Sequence, residues 1–294
     1  MFESERTIST QSGREIRIIE AGQPDGVPVL VHSGTPCSRL LYHLWVEDAV
    51  SRGIRLIGYD RPGYGGSSAV PGRSVASAAH DVAAIAKALG IARLSVWGIS
   101  GGGPHALACA ALLPDLVVAA AALGSPAPYP SEGLDWFAGM GEDNVTEFNA
   151  ALAGRDALQS FVETSAPGML AADPESFAQA FRSLLSPVDA AVFSADFAAF
   201  FLSWIREAIT ERRDGWVDDD IAFTTPWGFE LDHIQIPVLL WHGKHDRFVP
   251  FSHGEWLAGH IPSADARLSA DDGHLTLALR RISDVHSWLL ARMK

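Results

Sequence analysis

An apolar strand pattern at Ser95–Gly98 runs directly into the turn Gly98-Ile99-Ser100-Gly101-Gly102, and Pro104–Leu113 continues with the composition of a buried helix. Strand, tight turn and helix in immediate succession leave Ser100 on a sharp corner, where Gly98 and Gly102 remove side chains that would collide. A serine so placed holds its Oγ out of the fold, above the amides of a helix N-terminus. That is the geometry of a nucleophile. A five-residue Gly-x-Ser-x-Gly match is weak on its own, so its weight depends on its surroundings.

Those surroundings alternate strand-like and helix-like segments, which predicts βα units and a largely parallel sheet. Arg6–Thr10 and Arg14–Glu20, separated by Gln11-Ser12-Gly13, read as an opening antiparallel hairpin. Further strands are expected at Val27–Val31, Ile54–Tyr59, Val117–Leu123, Val238–Trp241 and Ala266–Ser269. Helical spacing marks Ser38–Arg52, Ser74–Leu89 (stopped by Gly90) and the closing segment Leu275–Met293. From about Pro126 to Asp232 no strand pattern is found. Helical patterns there cover Glu132–Met140, Val145–Ala153, Pro174–Leu185 and Asp189–Thr210, with punctuation at Pro167-Gly168 and Pro187. The expected organisation is a core of residues 1–125 and 233–294, with a helical insertion at 126–232.

At 294 residues, 48% hydrophobic and 19% charged, the chain can bury one large α/β core. A formal net charge of −13 opposes binding to nucleic acid or to an anionic membrane. Met1–Arg6 lacks the basic start and apolar stretch of a signal peptide, and the longest apolar run, Leu116–Gly124, is too short to span a bilayer. The two cysteines, Cys37 and Cys109, suggest no disulfide framework. These features point to a soluble protein in a reducing, cytoplasmic setting.

A serine nucleophile needs a base, an acid to orient that base, and an oxyanion hole. His274, on the loop Asp271-Asp272-Gly273-His274, is the candidate base, with His32, His105, His242 and His245 as alternatives. Asp246, after the strand Val238–Trp241, is the candidate acid; the competing role is an ion pair with Lys244 or Arg247. The chain order Ser, Asp, His is the one this strand-turn-helix geometry uses. For the oxyanion hole, Gly101 supplies one amide, and the loop His32-Ser33-Gly34-Thr35-Pro36 supplies the other, from Thr35 or Gly34. No metal is required, and no Gly-x-Gly-x-x-Gly dinucleotide fingerprint occurs, so no cofactor is expected.

Together, His32–Pro36, Asp60-Arg61-Pro62-Gly63-Tyr64-Gly65, Gly98–Gly102, Gly243–Asp246 and Gly273-His274 resemble the α/β-hydrolase superfamily. The resemblance covers about 1–125 and 233–294. It implies a mostly parallel sheet flanked by helices, a cap domain at 126–232, and Ser100, Asp246 and His274 as nucleophile, acid and base. The oxyanion loop departs from the more usual His-Gly-x-Pro, which leaves its register open between Gly34 and Thr35. Ser100 disfavours the related dehalogenases and epoxide hydrolases, which use an aspartate there.

The implied activity is acyl-enzyme hydrolysis of a small to medium hydrophobic carboxylic ester. Proline iminopeptidase-like, lactone, carbon–carbon bond and cofactor-free haloperoxidase activities are alternatives, as is a small-molecule receptor that retains the triad. An iminopeptidase needs acids for the substrate's amino terminus, for which Glu132, Glu142 and Glu163 are candidates. Most of the insertion's aromatics, among them Trp136, Phe197, Phe201, Trp204, Trp216 and Phe223, are expected in its own core, with a minority facing Ser100. Asp218-Asp219-Asp220 reads as a solvated loop. The expected partner is a small-molecule substrate, with homo-oligomerisation open.

Overall fold

The computed structural model describes residues 2–293. The strands are β1 (Phe2–Ser9), β2 (Glu15–Gly22), β3 (Val27–His32), β4 (Ile54–Tyr59), β5 (Leu94–Ile99), β6 (Val117–Leu123), β7 (Val238–Gly243) and β8 (Ala264–Ser269). They form one sheet in the order β1-β2-β4-β3-β5-β6-β7-β8. β2 runs antiparallel to β1 and β4, and every pair from β4 to β8 is parallel.

The central strands are apolar at consecutive positions because both faces are covered. Val29, Val31, Leu56, Trp97, Ile99, Leu239 and Trp241 point into one core, while Leu30, Ile57, Val96, Ala120 and Leu240 point into the other. Helices α1 (His43–Arg52), α2 (Ser77–Leu89) and α3 (Gly102–Leu112) follow β3, β4 and β5. The first core takes Trp45, Val46 and Ala49 of α1, and the second takes Val82 and Ile85 of α2 with Ala106–Ala110 of α3.

Between β6 and β7 lie α4 (Glu142–Leu152), α5 (Arg155–Ala171), α6 (Pro174–Ala180), α7 (Pro187–Ala190), α8 (Ala195–Ile209) and α9 (Asp214–Phe223). The chain closes with α10 (Phe251–His260), α11 (Leu275–Arg280) and α12 (Ile282–Leu290). Among the described residues no helix is long and apolar enough to cross a membrane.

Several segments differ from their sequence patterns. Residues 38–42 are not helical, because distant partners capture their backbone: the Ser38 amide donates to the Trp204 carbonyl and the Arg39 amide to Asp60 Oδ1. Glu132–Met140 forms turns instead of a helix, since Gly133 and Gly139 both take positive φ. Pro167 and Gly168 lie inside α5 and do not interrupt it. The pattern over Asp189–Thr210 splits into α7 and α8, with Ser194 capping α8 by accepting the Phe197 amide. The closing helix breaks at Arg281, whose guanidinium is held by the Asp272 carboxylate.

Candidate active site

The C-terminal ends of β3, β5, β6, β7 and β8 converge, as the crevice of an open parallel sheet requires. Ser100 follows β5 directly and has φ 55°, the one positive φ outside glycine among the described residues. Its strain is held by the Ser100 amide donating to the Leu123 carbonyl and by the Gly103 amide donating to the Ser100 carbonyl, 2.8 and 2.9 Å. A Cβ on Gly98 would strike the Gly102 backbone, and one on Gly102 would strike the His32 carbonyl. The two glycines therefore do the steric work expected of them.

Asp246 follows β7 and is buried, as is His274 before α11. His274 Nδ1 lies 2.6 Å from Asp246 Oδ2, and Asp246 Oδ1 accepts the amides of Phe248 and Val249. Those amides and the imidazole occupy Asp246, which pairs with neither Lys244 nor Arg247. The Phe248 ring stacks on the His274 imidazole at 4.6 Å. Burial opposes the charged imidazolium, but attraction and hydrogen bonding from Asp246, with a contribution from Asp189, outweigh it and raise the His274 pKa.

The other histidines serve elsewhere. Buried His32 contacts the Tyr59 hydroxyl, His105 contacts Asp219, and His242 donates to the Val249 carbonyl, while His245 is exposed. Burial lowers the pKa of His32, His105 and His242.

Two supporting residues were not visible as such in the sequence. Asp189 of α7, wholly buried, accepts the amides of His274, Leu275 and Thr276 at 2.8–3.1 Å and so caps α11 from across the fold. Gly124, after β6, has φ 52°, and a Cβ there would stand 2.9 Å from His274 Nδ1 and 3.1 Å from Asp246 Oδ2. Only the positive φ demanded at that strand end signals it, and a sequence pattern does not reveal it.

The loop after β3 reaches the elbow from the other side. A Cβ on Gly34 would lie 3.4 Å from the Ser100 Cβ, and one on Gly101 would meet the Thr35 side chain. Among the described residues the amides of Gly34, Thr35 and Gly101 donate to no protein acceptor. Behind them Asp219 of α9, fully buried, accepts Thr35 Oγ1 at 2.9 Å, Tyr64 Oη at 2.8 Å and Arg61 Nη2 at 2.6 Å. Arg73 Nη1 lies 2.6 Å from its other oxygen, and Arg61 also donates to the carbonyls of Ser33 and Gly34. Asp218–Asp220 is therefore a buried stretch of helix; the expected solvated loop is corrected by the arginines that neutralise Asp219 and by Arg155 on Asp218.

Ser100, His274, Gly34, Thr35 and Gly101 line one cavity of about 440 Å³. Trp136, Phe197, Phe201, Trp204, Trp216 and Phe223 also line it, so these aromatics serve core and cavity together, more of them than the helical spacing suggested. Glu132, Glu142 and Glu163 are exposed and lie off this wall; the acids on it are Asp143, Glu147 and Asp220.

The family model for the alpha/beta hydrolase fold matches residues 27–280. The chain belongs to the α/β-hydrolase family. This α/β-hydrolase is 26% identical over 249 residues to a non-heme chloroperoxidase of Streptomyces lividans, covering 84% of each chain. It is 26% identical over 259 residues to a bifunctional esterase/perhydrolase of Acinetobacter calcoaceticus, covering 83% of each. An esterase structure from Exiguobacterium antarcticum shares its fold with a TM-score of 0.73 at 22% identity, over 98% of this chain and 100% of that one. Family membership and these relatives support a hydrolase.

Proposed function

We propose that this α/β-hydrolase cleaves small to medium hydrophobic carboxylic esters through an acyl-enzyme on Ser100, with the helices between β6 and β7 as its cap. The observation carrying this reading is the strained Ser100 corner on an apolar cavity that also holds His274, whose Nδ1 is committed to Asp246. With Nδ1–H donating to Asp246, Nε2 is the nitrogen free to take a proton. Ser100 Oγ attacks the ester carbonyl as its proton passes to His274 Nε2. The oxyanion is held by the amides of Gly101 and Thr35, with Gly34 keeping the loop close to Ser100. His274 then protonates the departing alcohol, and a water activated by the same nitrogen releases the acid. The cavity volume of about 440 Å³ suits a compact ligand.

Mixing the protein with p-nitrophenyl butyrate is expected to release p-nitrophenol in a burst and to leave a butyryl group on the Ser100 peptide, read by mass spectrometry. Ser100→Ala should show neither. Butyrate bound without any adduct or turnover would instead identify a ligand receptor.

Gly124→Ala tests the support of the pair. Its Cβ would press on both His274 and Asp246 in a left-handed backbone. The expected outcome is about 1–3 kcal/mol lost in urea unfolding and kcat lowered about 10²-fold by misplacement of the base.

A further inference from the structure

We propose that Arg61 is a positioning residue for the reaction: it grips two peptide planes of the loop after β3 and aims their amides at the oxyanion. This deepens the ester-hydrolase reading and rests on it, giving the Asp60–Gly65 loop a part in the chemistry.

Arg61 is 1% exposed and lies off the cavity wall, whereas Gly34 and Thr35 lie on it. Its Nη1 donates to the Ser33 carbonyl and its Nη2 to the Gly34 carbonyl, the latter at 2.9 Å. Those carbonyls share peptide planes with the amides of Gly34 and Thr35. Both peptides are trans, so each N–H points away from its own carbonyl. With the carbonyls turned back to Arg61, the two N–H groups face away from it. Among the described residues they donate to no protein acceptor. Donors left unpaired in a buried loop call for an acceptor. A Cβ on Gly34 would stand 3.4 Å from the Ser100 Cβ, so that acceptor would sit beside the nucleophile.

Asp219 fixes the guanidinium itself. Its Oδ2 accepts Arg61 Nε at 3.0 Å and Nη2 at 2.6 Å, and also Thr35 Oγ1. A planar fork held along one edge directs its remaining N–H groups to the loop. Thr35 Oγ1 in turn stands 2.5 Å from where a Cβ on Gly101 would fall, so the other amide donor packs against the same clamp. Arg61 and Arg73 share the one carboxylate, which leaves this cluster with net positive charge behind the loop. Positive charge there favours an oxyanion over the neutral carbonyl of a bound ester. An arginine serving only to neutralise Asp219 has no need of the two loop carbonyls. A lysine would supply the charge without the fork.

The test compares 1,1,1-trifluoro-2-hexanone with 2-hexanone as inhibitors of p-nitrophenyl butyrate hydrolysis. With the fluorinated ketone, Ser100 Oγ bonds to the carbonyl carbon, its proton passes to His274, and the carbonyl π pair becomes the oxyanion. The parent ketone binds without that step. The wild-type protein is expected to bind the fluorinated ketone at least about 10²-fold more tightly. In Arg61→Lys that ratio should fall about ten-fold or more, and kcat by a similar factor. KM and the 2-hexanone inhibition constant should change less than about three-fold, since both report ground-state binding. Neither constant depends on the folded fraction, so partial unfolding does not produce this split. R61Q/D219N removes one charge of each sign, keeps the net charge of the cluster, and serves if Arg61→Lys fails to fold. A ratio that survives the substitution, equal weakening of both ketones included, overturns the proposal and leaves the ester reading standing. If the wild-type protein neither hydrolyses the ester nor discriminates between the ketones, the ester reading fails and the role of Arg61 fails with it.

Discussion

His274→Ala is expected to lower kcat for p-nitrophenyl butyrate by a factor on the order of 10⁴–10⁶, the usual consequence of removing the base from a serine triad. Stopped-flow and steady-state assays on protein shown to be folded by circular dichroism would measure it; a loss under ten-fold would exclude His274 as the base. The same residue sets a pH dependence with a defined sign. In the proposed mechanism His274 must be neutral to accept a proton, and Asp246 with Asp189 overcomes burial to hold its pKa above the ordinary value. The acid limb of kcat/KM should accordingly fall above about pH 6.5. Asp189→Asn keeps the shape of the side chain and removes its charge, so the limb should move to lower pH. A limb that stays in place would remove Asp189 from the electrostatics of the site.

Asp219→Ala is the second large effect, and here the loss is in stability. The substitution strands the guanidiniums of Arg61 and Arg73, both buried, with no counter-charge. Breaking a buried pair in this way costs about 3–5 kcal/mol, which urea unfolding would register as a lowered midpoint. Tyr64→Phe removes one hydrogen bond to the same carboxylate and should cost only about 1 kcal/mol. Because the native pKa of Asp219 is held well below the aspartate range, its contribution is complete above that range. It is lost as pH falls through the lowered native value. Equal losses from the two variants would show that the charges are not what Asp219 holds together.

The central strands were legible because each is a short apolar run closed by glycine, proline or a polar loop; Ile54–Tyr59 and Val117–Leu123 match residue for residue. The same local evidence pointed to Ser100, Asp246 and His274 as candidates, since each follows a strand that is itself legible. What periodicity could not show is backbone spoken for by distant partners. Residues 38–42 have helical spacing yet donate to Trp204 and Asp60. Asp218-Asp219-Asp220 looks like surface because three consecutive acids are costly to bury, and its arginine partners lie more than a hundred residues away for Arg61 and Arg73. Asp189 belongs to the same class: an aspartate in a helical pattern, assigned to the amides of a loop 85 residues on.

The Asp219 cluster also limits how the cavity can open. It clamps α9 to the loops after β3 and β4, through Thr35, Arg61, Tyr64 and Arg73. Swinging α9 outward would break the contacts of Thr35, Arg61, Tyr64 and Arg73 with Asp219 in one motion. The insertion therefore has a fixed heel. Of the other helices between β6 and β7, α7 and α8 are tied to the rest of the fold through Asp189 and Glu207, whereas α4 to α6 make no comparable buried ion cluster with it among the described residues.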